Sequence, residues 1–117
     1  KEKFSFIFTP HLSPMFKGIL STIYIDLNKG KTVKTLHNEL AKFYKKSEFI
    51  KELKINSLIS TNNVINTNNC IISVCKSKYK NKAIILSSID NLIKGGAGQA
   101  VQNLNIMKNF KSIEGLK

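Results

Sequence analysis

Apolar positions change their spacing along the chain, and the changes divide it into elements. Residues 18–27 alternate: Ile19, Ser21, Ile23, Ile25 and Leu27 fall on one side, Leu20, Thr22, Tyr24 and Asp26 on the other. A period of two marks an extended strand, and the first set is the better core face. Phe4, Phe6 and Phe8 alternate in the same way and predict a short strand over 4–8. From Thr32 the period lengthens. Val33, Leu36, Leu40 and Phe43 are spaced three, four and three, while Lys34, Asn38, Lys42 and Lys45 fall away from them. That is one face of an amphipathic helix, capped by Thr32 and running to about Lys46. His37 adjoins the stripe and reads as a boundary or exposed residue.

Residues 47–58 predict a turn, with Phe49, Ile50, Leu53 and Ile55, that closes in a short strand. Residues 60–69 are rich in Asn, Thr and Ser and read as a loop, with a brief strand around Val64 and Ile65. Cys70 to Lys76 and Lys82 to Ile89 predict a hairpin joined by the turn at 77–81. After Asp90 the chain passes Gly95-Gly96-Ala97-Gly98 and enters a helix carrying Ala97, Ala100, Val101, Leu104 and Met107. The fold class is therefore α+β: a mostly antiparallel sheet, one amphipathic helix and a C-terminal helix.

Length limits this to a single domain over residues 1–117. The first apolar run is too short for a signal-peptide core, and no apolar run is long enough to cross a membrane as a helix. The chain begins almost inside a strand, which fits a portion of a larger protein. All 19 basic residues are Lys, and the net charge is +12. Such an excess fits an anionic partner or a solvated basic surface. The lysines are dispersed, and Lys lacks the bidentate fork with which Arg reads phosphates and base edges. Cys70 and Cys75 are five apart in one strand, so they face opposite sides and do not pair. They read as structural thiols of a reducing compartment, and no metal-ligand spacing surrounds them.

Two stretches carry candidate chemistry. Phe8-Thr9-Pro10-His11-Leu12-Ser13-Pro14-Met15-Phe16-Lys17-Gly18 holds both prolines of the chain. Two prolines four apart stiffen a loop, and the loop presents His11 and Lys17. It reads either as a tight connection or as a mount for a proton-transfer group and a cation. The Gly95-Gly96-Ala97-Gly98 cluster lies at a helix start. It reads either as close backbone packing or as an anion site on free N–H groups.

Together, these stretches resemble one family. Phe8 to Met15 with Gly18-Ile19-Leu20, the run Asp90 to Asn103, and the closing Glu114-Gly115-Leu116 are similar to N-acetyl-gamma-glutamyl-phosphate reductase, in the right order along the chain. The resemblance implies the C-terminal, substrate-binding and dimerisation portion of that enzyme, with a fold like the glyceraldehyde-3-phosphate dehydrogenase C-terminal domain. It implies NADP-dependent reduction of an acyl phosphate, N-acetylglutamyl 5-phosphate, to its semialdehyde in arginine biosynthesis, in the cytoplasm. In this family a cysteine thiolate attacks the acyl phosphate and the thioester is then reduced. His11 matches the family's acid/base histidine. Lys17 falls where the family usually has Arg and would meet a substrate anion. Asn91, Gly95, Gly96 and Gln99 match a segment beside the cofactor.

Neither a dinucleotide-binding glycine motif nor an Asn-Pro-Gly-Cys-type nucleophile segment occurs in the chain. The resemblance therefore implies that the chain alone lacks reductase activity. It also implies a homo-oligomer paired through the sheet, with no nucleic-acid or membrane partner. The competing reading is a small Lys-rich α+β binding module for nucleic acid or another anionic partner.

Overall fold

A computed structural model describes residues 5–117. Among the described residues, four strands form one sheet: β1 (Ile19–Asp26), β2 (Ile50–Glu52), β3 (Cys70–Lys76) and β4 (Lys82–Ile89), in the spatial order β1-β4-β3-β2. The β1–β4 and β3–β4 pairs are antiparallel and the β2–β3 pair is parallel. The expected α+β class and mostly antiparallel sheet are both found.

Helix α1 (Val33–Tyr44) forms where the three-four-three stripe places it. Thr32 caps it: its hydroxyl accepts from the Thr35 N–H, and the Thr35 hydroxyl accepts from the Thr32 N–H at 2.8 Å. Glu52 and Ile72 are register partners and share a face of the sheet. Because Glu52 meets His37 of α1, the helix lies over the face that carries Ile72 and Val74. The other face is covered at β3 by the segment after β2, where Cys75 Sγ reaches the Ser57 carbonyl. Covered from both sides, β3 holds much of the core: Ile71, Ile72 and Val74 are buried beside Phe49, Val64 and Ala83. Cys70 and Cys75 are half-buried, unpaired thiols.

Three expectations are corrected. Residues 5–8 form no strand, and Phe6, Ile7 and Phe8 are exposed; Phe4 lies outside the described residues. Alternation alone does not make a strand: it also requires a regular ladder of hydrogen bonds with a neighbouring strand, and residues 5–8 are not among the strands of the sheet. Val64 and Ile65 form no strand either. A 3-10 turn at Thr61–Asn63 drops Val64, at 0% exposure, into the core. The strand expected at the end of 47–58 comes earlier, as β2, and its pairing continues through Leu53 N–H to the Ile72 carbonyl.

The face of β1 expected to be the core is only half realised. Ser21 and Ile25 are half-buried, but Ile19 and Ile23 are each 44% exposed. Helix α1 packs mainly against β2 and β3 at the opposite side of the sheet and approaches β1 only near Ile25 and Asp26, where Thr35, Leu36 and Glu39 line a shared cavity. Leu20 and Tyr24, on the reverse face, are exposed as well.

Helix α2 (Gly98–Met107) follows a wide turn at Ile93–Ala97. Among its residues Gly98 and Asn105 are buried, whereas Val101, Leu104 and Met107 are exposed. Among the described residues, no helix is long and apolar enough to cross a membrane.

Candidate active site

The loop before β1 and the turn after β4 meet at one end of the sheet, because Ile19 pairs with Ile89. Asp90, the residue that follows β4, organises the meeting point. It is completely buried. Its Oδ1 accepts from the N–H groups of Leu92 at 2.9 Å and Ile93 at 3.0 Å, and its Oδ2 accepts from the Asn66 N–H at 2.8 Å. Burial alone pushes this carboxyl up. The three backbone donors and nearby Lys17 outweigh it and hold the group below the usual Asp range.

Lys17 Nζ stands 3.4 Å from Asp90 Oδ2 and donates to Asn66 Oδ1, with 13% of its side chain exposed. Gly18 N–H donates to Asn91 Oδ1 at 2.6 Å. Gly18 has φ +107°, and a Cβ there would lie 2.7 Å from Thr61 Cβ, so no other residue fits between the loop and the 3-10 turn. Asn66, with φ 62°, uses the left-handed conformation that asparagine tolerates. Lys17 and Asn91 thus belong to one cluster.

His11 lies further out on the exposed loop, with Nδ1 3.2 Å from the Thr9 carbonyl. A carbonyl only accepts, so this contact requires the tautomer with hydrogen on Nδ1. In the neutral ring with that tautomer, Nε2 carries the lone pair. The five residues of loop between His11 and Lys17 include Pro14, which restricts their backbone.

The glycine turn divides by role. Gly98 is a packing residue: a Cβ there would lie 2.5 Å from Asn68 Oδ1 and 2.7 Å from Ile93 Cγ2. Gly95 and Gly96 are exposed. The anion-site reading meets an obstacle, because the amides at this helix start have internal acceptors. Gly95 N–H donates to the Asp90 carbonyl, Ala97 N–H to Leu92, and Gly98 N–H to Ile93. Gln99 donates to Asn103 Oδ1 along the helix at 2.9 Å.

A second polar pair lies across the sheet from this cluster. His37 Nδ1 is 2.8 Å from Glu52 Oε1, and the two line an open cavity of about 270 Å³ with Ala41, Tyr44, Lys45, Ser47 and Ile50. His37 is the half-buried boundary residue the helical pattern predicts. Its partner Glu52 was not legible, since nothing local marks an edge-strand Glu as facing a helix.

Asp90, Asn66 and Thr61 are the residues that sequence reasoning passes over. Asp90 had a local signal: an Asp opening a turn accepts the N–H groups two and three residues on. Asn66 and Thr61 had none, because their role depends on Lys17 and Gly18 arriving from far along the chain.

Comparison with known proteins identifies the family. Residues 1–91 match the family described as semialdehyde dehydrogenase, dimerisation domain. The N-acetyl-gamma-glutamyl-phosphate reductase of Thermoanaerobacter pseudethanolicus is 50% identical over 106 residues, 91% of this chain and 31% of the relative. Those of Brachyspira hyodysenteriae and Staphylococcus aureus are 45% and 43% identical, over 98% and 97% of this chain and 33% of each relative. The chain spans about a third of the length of these curated relatives, in their C-terminal portion. By its sequence match and its mixed four-stranded sheet, the chain belongs to the semialdehyde dehydrogenase family, through that family's dimerisation domain.

Proposed function

We propose that the chain is the acid/base-bearing portion of an NADP-dependent N-acetyl-gamma-glutamyl-phosphate reductase, a cytoplasmic enzyme of arginine biosynthesis. One observation carries the reading: 43–50% identity to three such reductases across more than nine-tenths of this chain. The geometry of His11 supports its role. With Nδ1–H held by the Thr9 carbonyl, Nε2 is the atom that takes the proton from a thiol nucleophile supplied outside this chain. The same nitrogen returns a proton to the oxygen of the reduced carbonyl. Lys17 supplies a fixed cation for the carboxylate or phosphate of the acyl phosphate.

Exposed Gly95 and Gly96 leave room for a flat ring to approach the turn, and Gln99 stands on the next helical turn. These would border the NADP cofactor, which in its reduced form, NADPH, would supply the hydride. Asn91 has its Nδ2 for a cofactor contact, while its Oδ1 accepts from the Gly18 N–H.

In the full-length reductase, His11→Asn is expected to lower kcat by about a hundredfold or more, the scale of a lost acid/base group. Phosphate-dependent reduction of NADP by N-acetylglutamate semialdehyde measures it. An unaffected variant would return His11 to the status of a loop residue. The exposed apolar residues of β1, Ile19, Leu20, Ile23 and Tyr24, support self-association through the sheet. Light scattering is expected to give at least a dimer mass; a monomer at every concentration would oppose it.

A further inference from the structure

Two consecutive residues after β4 grip two consecutive residues before β1. Asp90 faces Lys17 at 3.4 Å, and Asn91 holds the Gly18 N–H at 2.6 Å. Asn66 closes the third side, accepting from Lys17 Nζ through Oδ1 while its own N–H anchors Asp90. We infer that Asp90 is a positioning residue for Lys17: with Asn66 it fixes the ammonium so that its remaining N–H points out of the clamp toward the anionic group of the substrate. This rests on the reductase reading of Lys17 given above.

An ammonium has three donors. Asn66 takes one and Asp90 attracts another, which leaves one N–H for the exposed 13% of the side chain. Lys ordinarily ends a flexible four-carbon stem, and immobilising it on binding costs affinity. Here the order exists beforehand. Asp90 is itself fixed by three backbone donors, and Gly18 is wedged against Thr61, so both anchors of the Lys17 side chain are rigid. A carboxylate that merely ended β4 would need only the backbone donors. The approach of Lys17 adds a partner that such a role does not explain. Because Asp90 also offsets the charge of Lys17, the contribution to binding is one of direction more than of net charge.

The test uses the full-length reductase, with N-acetylglutamate semialdehyde as the varied substrate. Asp90→Asn removes the counter-charge. Asn66→Gly removes the Lys17 acceptor yet keeps the left-handed backbone and the N–H that Asp90 needs, so it stands if Asp90→Asn folds poorly. Each variant is expected to raise KM by about tenfold, the worth of a hydrogen bond to a charged group, with kcat changed by less than about threefold. Asp90→Asn combined with Lys17→Met is expected to match Lys17→Met alone, because both act through the same ammonium. Lower melting temperatures with an unmoved KM, or additive losses in the double variant, would overturn the inference and leave the reductase reading intact. A wild-type enzyme without reductase activity would overturn both.

Discussion

Asp90 at the end of β4 is 0% exposed, and the Glu52 side chain at the end of β2 is 9% exposed. Both carboxylates have left water, and each has a basic residue close by: Lys17 at 3.4 Å and His37 at 2.8 Å. Their acidities nevertheless move in opposite directions. Asp90 is held below the usual Asp range, whereas burial pushes Glu52 up and His37 only partly offsets the rise. Backbone geometry makes the difference. Asp90 opens a turn whose N–H groups point back at its short side chain. Glu52 lies in a strand, where neighbouring N–H groups lie in the plane of the sheet and a side chain normal to it meets none. Both Glu52 oxygens are buried without a hydrogen bond, and the His37 contact is misaligned for one. A basic neighbour does not make a buried carboxylate favourable; hydrogen-bond donors do.

The largest expected effect separates the two sites by truncation. Asp90→Ala leaves three buried N–H groups and Lys17 without their acceptor. It is expected to cost about 3–5 kcal/mol, the range for breaking a buried, hydrogen-bonded charge pair. Chemical denaturation of the chain measures it, and a loss under about 1 kcal/mol would erase the contrast.

A pH titration of stability tests the opposite signs. Folded Asp90 holds its proton less tightly than the unfolded chain does. Its contribution is therefore complete above the ordinary Asp value of about 3.9 and is lost as pH falls through its lower folded value. Folded Glu52 holds its proton more tightly. Stability from this group therefore rises as pH falls from its raised folded value toward the ordinary Glu value of about 4.3. Asp90→Asn is expected to flatten the first limb and Glu52→Gln the second. If both variants flattened the same limb, the assignment of opposite shifts would fail.

The smallest effect is Glu52→Gln at neutral pH. It removes a charge the site never stabilised, so the change is expected to be within about 1 kcal/mol and not strongly destabilising. A loss as large as that of Asp90→Ala would show that the His37 pair matters as much as the Asp90 cluster.

Local signals determined a good deal of this protein. The stripe Val33, Leu36, Leu40 and Phe43 behind Thr32 specified α1, and two short apolar runs separated by the turn at 77–81 specified the β3–β4 hairpin. Both elements complete their hydrogen bonds within a short stretch of chain. His11, Lys17, Asn91 and the glycine turn stood out through their Pro and Gly neighbours. Tertiary structure decided the rest. The alternation over 4–8 predicts a strand, yet residues 5–8 form none; β2 pairs parallel with β3 over only three residues. The apolar face of β1 remains half open because α1 settles over the far strands. The clamp joins residues 73 apart, Gly18 to Asn91. Capping and alternation are written within one turn or one strand. Which buried donor meets which acceptor depends on surfaces brought together only when the sheet closes.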